Sequence, residues 1–156
     1  MDNRKAGGLR RSPLNILSKR EIEHLKQEIK AICADDNVFV FNEYFKTGFR
    51  DDYNIISVSG DVMPDISSGS IHPRDLMSER AVIAHEYYGH YKYAPSQFDV
   101  GDWRDEFRAS YMAAKNTPNL TDEDRRYLVL DAIERAKEMG VTIKYNDFMR
   151  RVLYGY

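Results

Sequence analysis

Two histidines and two glutamates of this chain have the types and neighbours that metal-assisted hydrolysis uses. His85, Glu86 and His90 stand in the run Ala84-His85-Glu86-Tyr87-Tyr88-Gly89-His90, and Glu106 follows in Asp105-Glu106-Phe107-Arg108-Ala109-Ser110. Imidazole nitrogens and a carboxylate oxygen suit a borderline-soft divalent ion such as zinc, and a second carboxylate beside a ligand can take a proton from water. Metal-binding helices commonly set two histidines four residues apart with a glutamate after the first. Four residues advance about 400°, so both rings leave one face of the helix. Here the spacing is five. Five residues advance about 500°, leaving the rings roughly 140° apart and about 7.5 Å along the axis of an ideal helix. Either a π-bulge absorbs the extra residue, with Gly89 as a cheap place for distorted backbone, or His85 and His90 are not a chelate. Glu86 and His90 are themselves four apart and could chelate without any bulge, leaving His85 outside.

The run His-Glu-x-x-Gly-His resembles the motif of the dipeptidyl peptidase III family of zinc peptidases, which carries it on a bulged helix. The third ligand in that family is a glutamate on a later helix, within Glu-Glu-x-x-Ala-Glu/Asp. Glu106 and Ala109 match that pattern, Asp105 is a shorter acid, and Ser110 departs from the expected carboxylate. The likeness is confined to these motif stretches, and the chain is far shorter than members of that family. The stretch His72-Pro73-Arg74-Asp75-Leu76-Met77-Ser78 is also similar to metallopeptidase-like domains of bacterial prophage head proteins and polymorphic toxins.

The resemblance implies a zincin-like fold with one zinc per chain, held by His85, His90 and Glu106, and Glu86 as general base toward a zinc-activated water. Asp105 or Asp102 would orient a histidine through its far nitrogen. The oxyanion donor stays open among Tyr88, Tyr91, Tyr111 and His72. The implied activity is hydrolysis of peptide bonds in a peptide or protein substrate. Two other functions fit the same residues: a phage- or toxin-associated protease specific for one partner protein, and a non-catalytic zinc-stabilised interaction module. Residue chemistry also offers plainer roles. Glu106 in a first helical turn is favoured by the helix dipole, Asp105 suits a capping box begun at Asp102, and the tyrosines Tyr87, Tyr88, Tyr91 and Tyr93 suit packing.

The elements that must position these groups follow from periodicity and caps. Ser18-Lys19-Arg20-Glu21 is a capping box, and Ile22, Leu25, Ile29 and Ile32 then recur at helical spacing to about Ala34. Val38–Phe41 and Tyr53–Val58 read as strands separated by Gly48–Asp52, and the segment from Tyr53 to Pro64 is the expected edge strand for an extended peptide. The stretch from Gly60 to Arg74 reads as loop. A helix should run from Ser78 to about Tyr93, stopped by Pro95, and carry the histidines. The next, from Gly101 or Asp102 to before Pro118, carries Glu106 and should bury Trp103, Phe107, Tyr111 and Ala114. Thr121 caps a fourth helix that buries Val129, Ala132, Ile133, Ala136 and Met139 and ends at Gly140. Asn146–Leu153 forms the last. The fold class is α+β: a small early sheet, then helices.

Bulk composition narrows the rest. A chain of 156 residues, 42% hydrophobic and 31% charged, suits one domain, here residues 18–156. Residues 1–17, with Arg4, Lys5, Arg10 and Arg11 around Gly7-Gly8, read as a flexible basic arm. A net charge of −2 calls for neither nucleic acid nor an anionic membrane as partner. Cys33 stands alone, so no internal disulfide is expected. Without an apolar leader or a long apolar run, a cytoplasmic location is expected, with phage association or non-Sec export left open. Nothing in the residues bears on oligomeric state.

Overall fold

The computed structural model describes residues 10–99 and 101–156. Its elements are α1 (Lys19–Ala31), β1 (Phe39–Phe41), β2 (Gly48–Arg50), β3 (Ile55–Val58), α2 (Pro73–Leu76), α3 (Glu79–Ala84), α4 (Trp103–Asn116), α5 (Asp122–Glu138) and α6 (Asp147–Tyr154). The class is α+β. No helix among the described residues is long and apolar enough to cross a membrane.

Caps account for where the helices start. Ser18 accepts from the Glu21 amide while the Glu21 carboxylate accepts from the Ser18 amide, so the capping box of α1 is complete. Ser78, Asp102, Thr121 and Asn146 cap α3, α4, α5 and α6 in the same side-chain-to-amide manner. A single cluster of buried apolar residues draws on all these parts: Leu25, Ile29 and Ile32 of α1, Ile56 and Val58 of β3, Ile83 of α3, Leu128 and Val129 of α5, Met149 and Leu153 of α6.

The sheet departs from expectation in two ways. Gly48–Arg50, expected to separate two strands, is itself a strand, too short and evenly half-buried for alternation to reveal it. The strand order is β1-β3-β2, with β3 parallel to β1 and antiparallel to β2. The strand expected as an edge, β3, is therefore central, with Ile56 and Val58 buried, and the edge next to the π-helical turn belongs to β2.

The N-terminal segment also differs. Residues 1–9 lie outside the described residues, but the expected free arm does not extend to residue 17. The Arg10 guanidinium donates to the carbonyls of Asp61, Val62, Arg74, Asp75 and Met77. Leu17 is buried in the core cluster, and Gly60 leaves room for the backbone of Ser12 and Asn15, which a Cβ there would strike. Burial lowers the Arg10 pKa to about 10, partly offset by Asp61 and Asp75.

Candidate metal centre

α3 continues without a break into a π-helix over His85–His90, followed by a 3₁₀ turn at Tyr91–Tyr93. The widened turn solves the spacing problem, because i→i+5 hydrogen bonding brings residues five apart onto one face. The rings of His85 and His90 lie 4.9 Å apart, centroid to centroid, and nearly perpendicular. The bulge thus pairs His85, rather than Glu86, with His90.

Gly89 matters for a reason other than backbone freedom. A Cβ at that position would lie within 2.8 Å of the Ala109 main chain and closer still to its carbonyl oxygen. The missing side chain lets the π-helix press directly on α4, and fully buried Ala109 keeps the other surface equally thin. Glu106 lies one helical turn before Ala109, so this contact sets the carboxylate against both rings. Glu106 Oε1 is 3.0 Å from His85 Nε2 and 3.3 Å from His90 Nε2. One ligand atom from each of the three residues falls within 4.8 Å of the others, the arrangement a metal ion requires.

The far nitrogens of both rings are held. His90 Nδ1 lies 3.5 Å from Asp105 Oδ2, while the other Asp105 oxygen accepts from Ser96 Oγ and Arg108 Nη2. His85 Nδ1 lies 2.8 Å from Ser110 Oγ, and Ser110 Oγ donates to Asp131 Oδ2 at 2.6 Å. Burial pushes the pKa of fully buried Asp131 upward, but Arg135 and Arg74 outweigh it and hold the carboxylate ionised. An ionised carboxylate only accepts, so the single Ser110 proton points to Asp131, and Ser110 must accept from His85 Nδ1–H. His85 Nε2 then presents its lone pair to the Glu106 carboxylate, and two such acceptors 3.0 Å apart require a cation between them, a proton or a metal ion.

The titration of the cluster tells the same story. Burial would lower the His90 pKa, but the hydrogen bond to Glu106 and the charges of Glu86, Glu106 and Asp105 raise it to about 9. Burial likewise opposes ionisation of Glu106, and its bonds to His85 and His90 overcome that and hold its pKa well below the carboxylate range. The donor set attracts positive charge, and its two nitrogens and one oxygen fit zinc without identifying it.

Glu86 is outside the ligand set. It lines the same cleft as His90 and Glu106, with Oε1 accepting from the Phe49 amide of β2 at 3.0 Å. The cleft has a volume of about 640 Å³ and runs between β2 and the segment Ala94–Phe98, with Arg74, Arg108 and Arg135 on the helical side.

Other expected site residues point elsewhere. Tyr88 donates its hydroxyl to the Ile32 carbonyl at the end of α1, and Tyr111 accepts from Asn146 and packs between Phe107 and Phe148. Tyr91 packs on Tyr87 and Phe49, and His72 caps α2. None of these four lines the cleft, so all are withdrawn as oxyanion donors. Asp102 caps α4 and does not orient a histidine. Trp103, Phe107 and Tyr111 form a half-buried stripe in which Tyr111 packs on Phe148 of α6, whereas the buried face of α4 is Asp105, Ala109, Ser110, Ala113 and Ala114. Asp131 and Arg135 went unremarked in the sequence, and Ser110 was noted only as a departure from the expected carboxylate. The signal for Asp131 was there, an acid set among Leu128, Val129, Ala132 and Ala136 on the buried side of α5.

Comparison with protein-family models, curated proteins and solved structures returned no match for this chain.

Proposed function

We propose that this protein is a zinc-dependent hydrolase of peptide bonds. The observation that carries the reading is the convergence of His85, His90 and Glu106 on one point at the wall of a cleft that also holds the Glu86 carboxylate. Zinc in such a donor set supplies Lewis acidity and acidifies water toward a pKa of ~7. His85, His90 and Glu106 would hold it. Ser110 with Asp131, and Asp105, keep the two rings turned with Nε2 toward Glu106, as a shared ion would need. The Phe49 amide fixes one oxygen of Glu86, which leaves the other to take a proton from water in the cleft and return it to the departing amine.

Two features favour a catalytic over a purely structural centre. Structural zinc sites are closed by four protein ligands, whereas this cluster has three among the described residues and faces a cleft. A glutamate outside the ligand set, anchored on that cleft, has no purpose in a closed site. The test is metal content and peptide turnover of the purified protein beside Glu86→Gln, His85→Ala, His90→Ala and Glu106→Ala. One zinc per chain is expected, kept in Glu86→Gln and lost in the other three, with turnover absent in all four. Full activity in Glu86→Gln would remove the general base. If unrelated peptides all stay uncut while one partner protein is cut, the narrow-specificity alternative is correct.

A further inference from the structure

The cleft beside the metal ligands carries an unusual load of guanidinium groups. Arg74, Arg108 and Arg135 all line it, and each side chain is less than a third exposed. Long cationic side chains are rarely drawn this far in unless something anionic meets them. Buried Asp131 holds two of them side by side. Its Oδ1 lies 3.2 Å from Arg74 Nε, and both its oxygens take Arg135 Nε, at 3.3 and 3.2 Å; the outer end of Arg74 is bonded to Glu138 at 3.3 Å, whereas the carboxylate holds Arg135 at the root of its guanidinium. One Nη of Arg135 extends to within 3.5 Å of Glu106 Oε1, a distance at which the contact is electrostatic and no firm hydrogen bond forms. Arg108 is bonded to Asp105 through Nη2 only, and its Nε is buried with no hydrogen-bond partner. The cleft also carries the carboxylates of Asp51, Glu86, Asp105 and Glu106, and its apolar lining is chiefly Phe49, Pro95 and Phe98.

We propose that the cleft takes its substrate by a carboxylate, and that the carboxylate is the free C-terminus of a peptide with an apolar last residue. The inference rests on the hydrolase reading and makes the protein an exopeptidase acting from the carboxyl end. Arg135 supplies the planar fork that matches a carboxylate, Arg108 adds charge, and the last side chain lies against Phe49 and Phe98. Reach decides the position. A peptide advances at most ~3.3–3.6 Å per residue, so a carboxylate on a guanidinium this close to a ligand oxygen belongs to the residue directly after the bond that is cut. A peptide running on past that residue would have to bury its chain among the arginines. The reaction balances as simple hydrolysis: water adds across the last amide bond, releasing a free amino acid and a peptide shortened by one residue.

The carboxylate has two sources, a chain terminus or an acidic side chain, and binding separates them. N-acetyl-phenylalanine, its amide, and N-acetyl-glutamate α-amide are titrated calorimetrically into the metal-free protein and into the zinc-loaded Glu86→Gln variant. The free acid should bind about tenfold more tightly than its amide in both forms, the difference between a charge-assisted and a neutral hydrogen bond. A preference seen only with zinc would trace it to the ion and overturn the role of the arginines. Equal binding of acid and amide would overturn the proposal, and glutamate α-amide matching the free acid would overturn the C-terminal assignment. Arg135→Gln and Arg108→Gln should each reduce the acid–amide ratio while circular dichroism shows the fold kept. The outcomes also separate this inference from the one beneath it. Peptides cut equally well with free and amidated ends refute the carboxylate site and leave the hydrolase. A protein that binds the acid but cuts nothing refutes the hydrolase and leaves the carboxylate site.

Discussion

Asp131→Asn tests the relay behind His85 more sharply than removal of any ligand. The side chain keeps its shape, but one carboxylate oxygen becomes an amide that donates. Arg74 Nε donates to Asp131 Oδ1 alone while Arg135 Nε is shared between both oxygens, so the amide oxygen stays toward Arg74 and the new NH₂ takes the position 2.6 Å from Ser110 Oγ, giving up the Oδ2 half of the Arg135 contact. Ser110 then accepts from residue 131 and its proton turns to His85 Nδ1, 2.8 Å away. The ring shifts to the other tautomer, with a hydrogen rather than a lone pair on Nε2, facing the point on which His85, His90 and Glu106 converge. Loss of such an outer partner typically lowers metal affinity about 10–100-fold, or ~1.4–2.7 kcal/mol. Zinc competition against a chromophoric chelator measures the affinity, and ¹⁵N–¹H correlation of the imidazole nitrogens reads the tautomer. Ser110→Ala is the companion. It leaves a buried N–H without an acceptor at ~1–3 kcal/mol of stability, and unfolding temperature moves about 2–4 °C per kcal/mol at this size. If both variants keep wild-type zinc affinity and Asp131→Asn keeps Nδ1–H, the relay merely packs the core and the tautomer argument is wrong.

Four further outcomes follow from the same geometry. Gly89→Ala should separate the π-helix from α4, costing ~1–3 kcal/mol and abolishing zinc binding, both measurable by thermal melts with and without metal. In the metal-free protein the His90 pKa is raised from 6.5 to about 9, so its contribution to stability is complete below about pH 6.5 and is lost as pH rises through about 9. Unfolding temperature without metal should fall across that window, and a flat profile would deny the Glu106 contact. Zinc displaces the same proton, so apparent affinity should strengthen as pH climbs over that range, with proton release on binding seen in a weakly buffered titration. Glu21→Ala removes the side-chain half of the capping box, where the carboxylate accepts from the Ser18 amide, and the ion pair to Arg11, and should lower stability by about 1 kcal/mol without touching zinc content.

What was legible in the residues was whatever depends on neighbours within a turn or two. The caps at Ser18 and Thr121 and the need for a bulge between His85 and His90 are local, and the structure builds each of them. The strand at Gly48–Arg50 was not legible, because three half-buried residues gain their state from pairing with β3 and from the Glu86 carboxylate on the Phe49 amide. The tyrosines misled for a related reason. Tyr88 is in the motif, but its place on the bulged helix turns it toward α1, and no spacing rule specifies how residues leave a π-turn. Arg10 looked like part of a loose basic segment, and only the cluster of carbonyls from two distant loops explains why it is drawn inward.

Ser110 and Asp131 carry the argument one step further. In the family motif that this chain resembles, a carboxylate follows the conserved-type alanine on the ligand helix, and here that position is a serine. A carboxylate is present all the same, but it comes from α5, reaches His85 through the Ser110 hydroxyl, and is kept charged by Arg74 and Arg135. Splitting the function between two helices has a physical consequence. Where one helix supplies ligand and orienting acid together, the site depends only on how that helix meets the histidines. Here the His85 tautomer also depends on how α4 and α5 pack, so zinc binding and docking of α5 must be linked and each should strengthen the other. Zinc should therefore slow hydrogen exchange at buried α5 amides around Leu128–Ala132, more than 20 residues along the chain from the nearest ligand, Glu106. In Ser110→Ala that protection should disappear at saturating zinc, while amides of the π-helix stay protected. Equal protection of α5 in both proteins would mean that Asp131 and His85 share a hydrogen bond without sharing free energy.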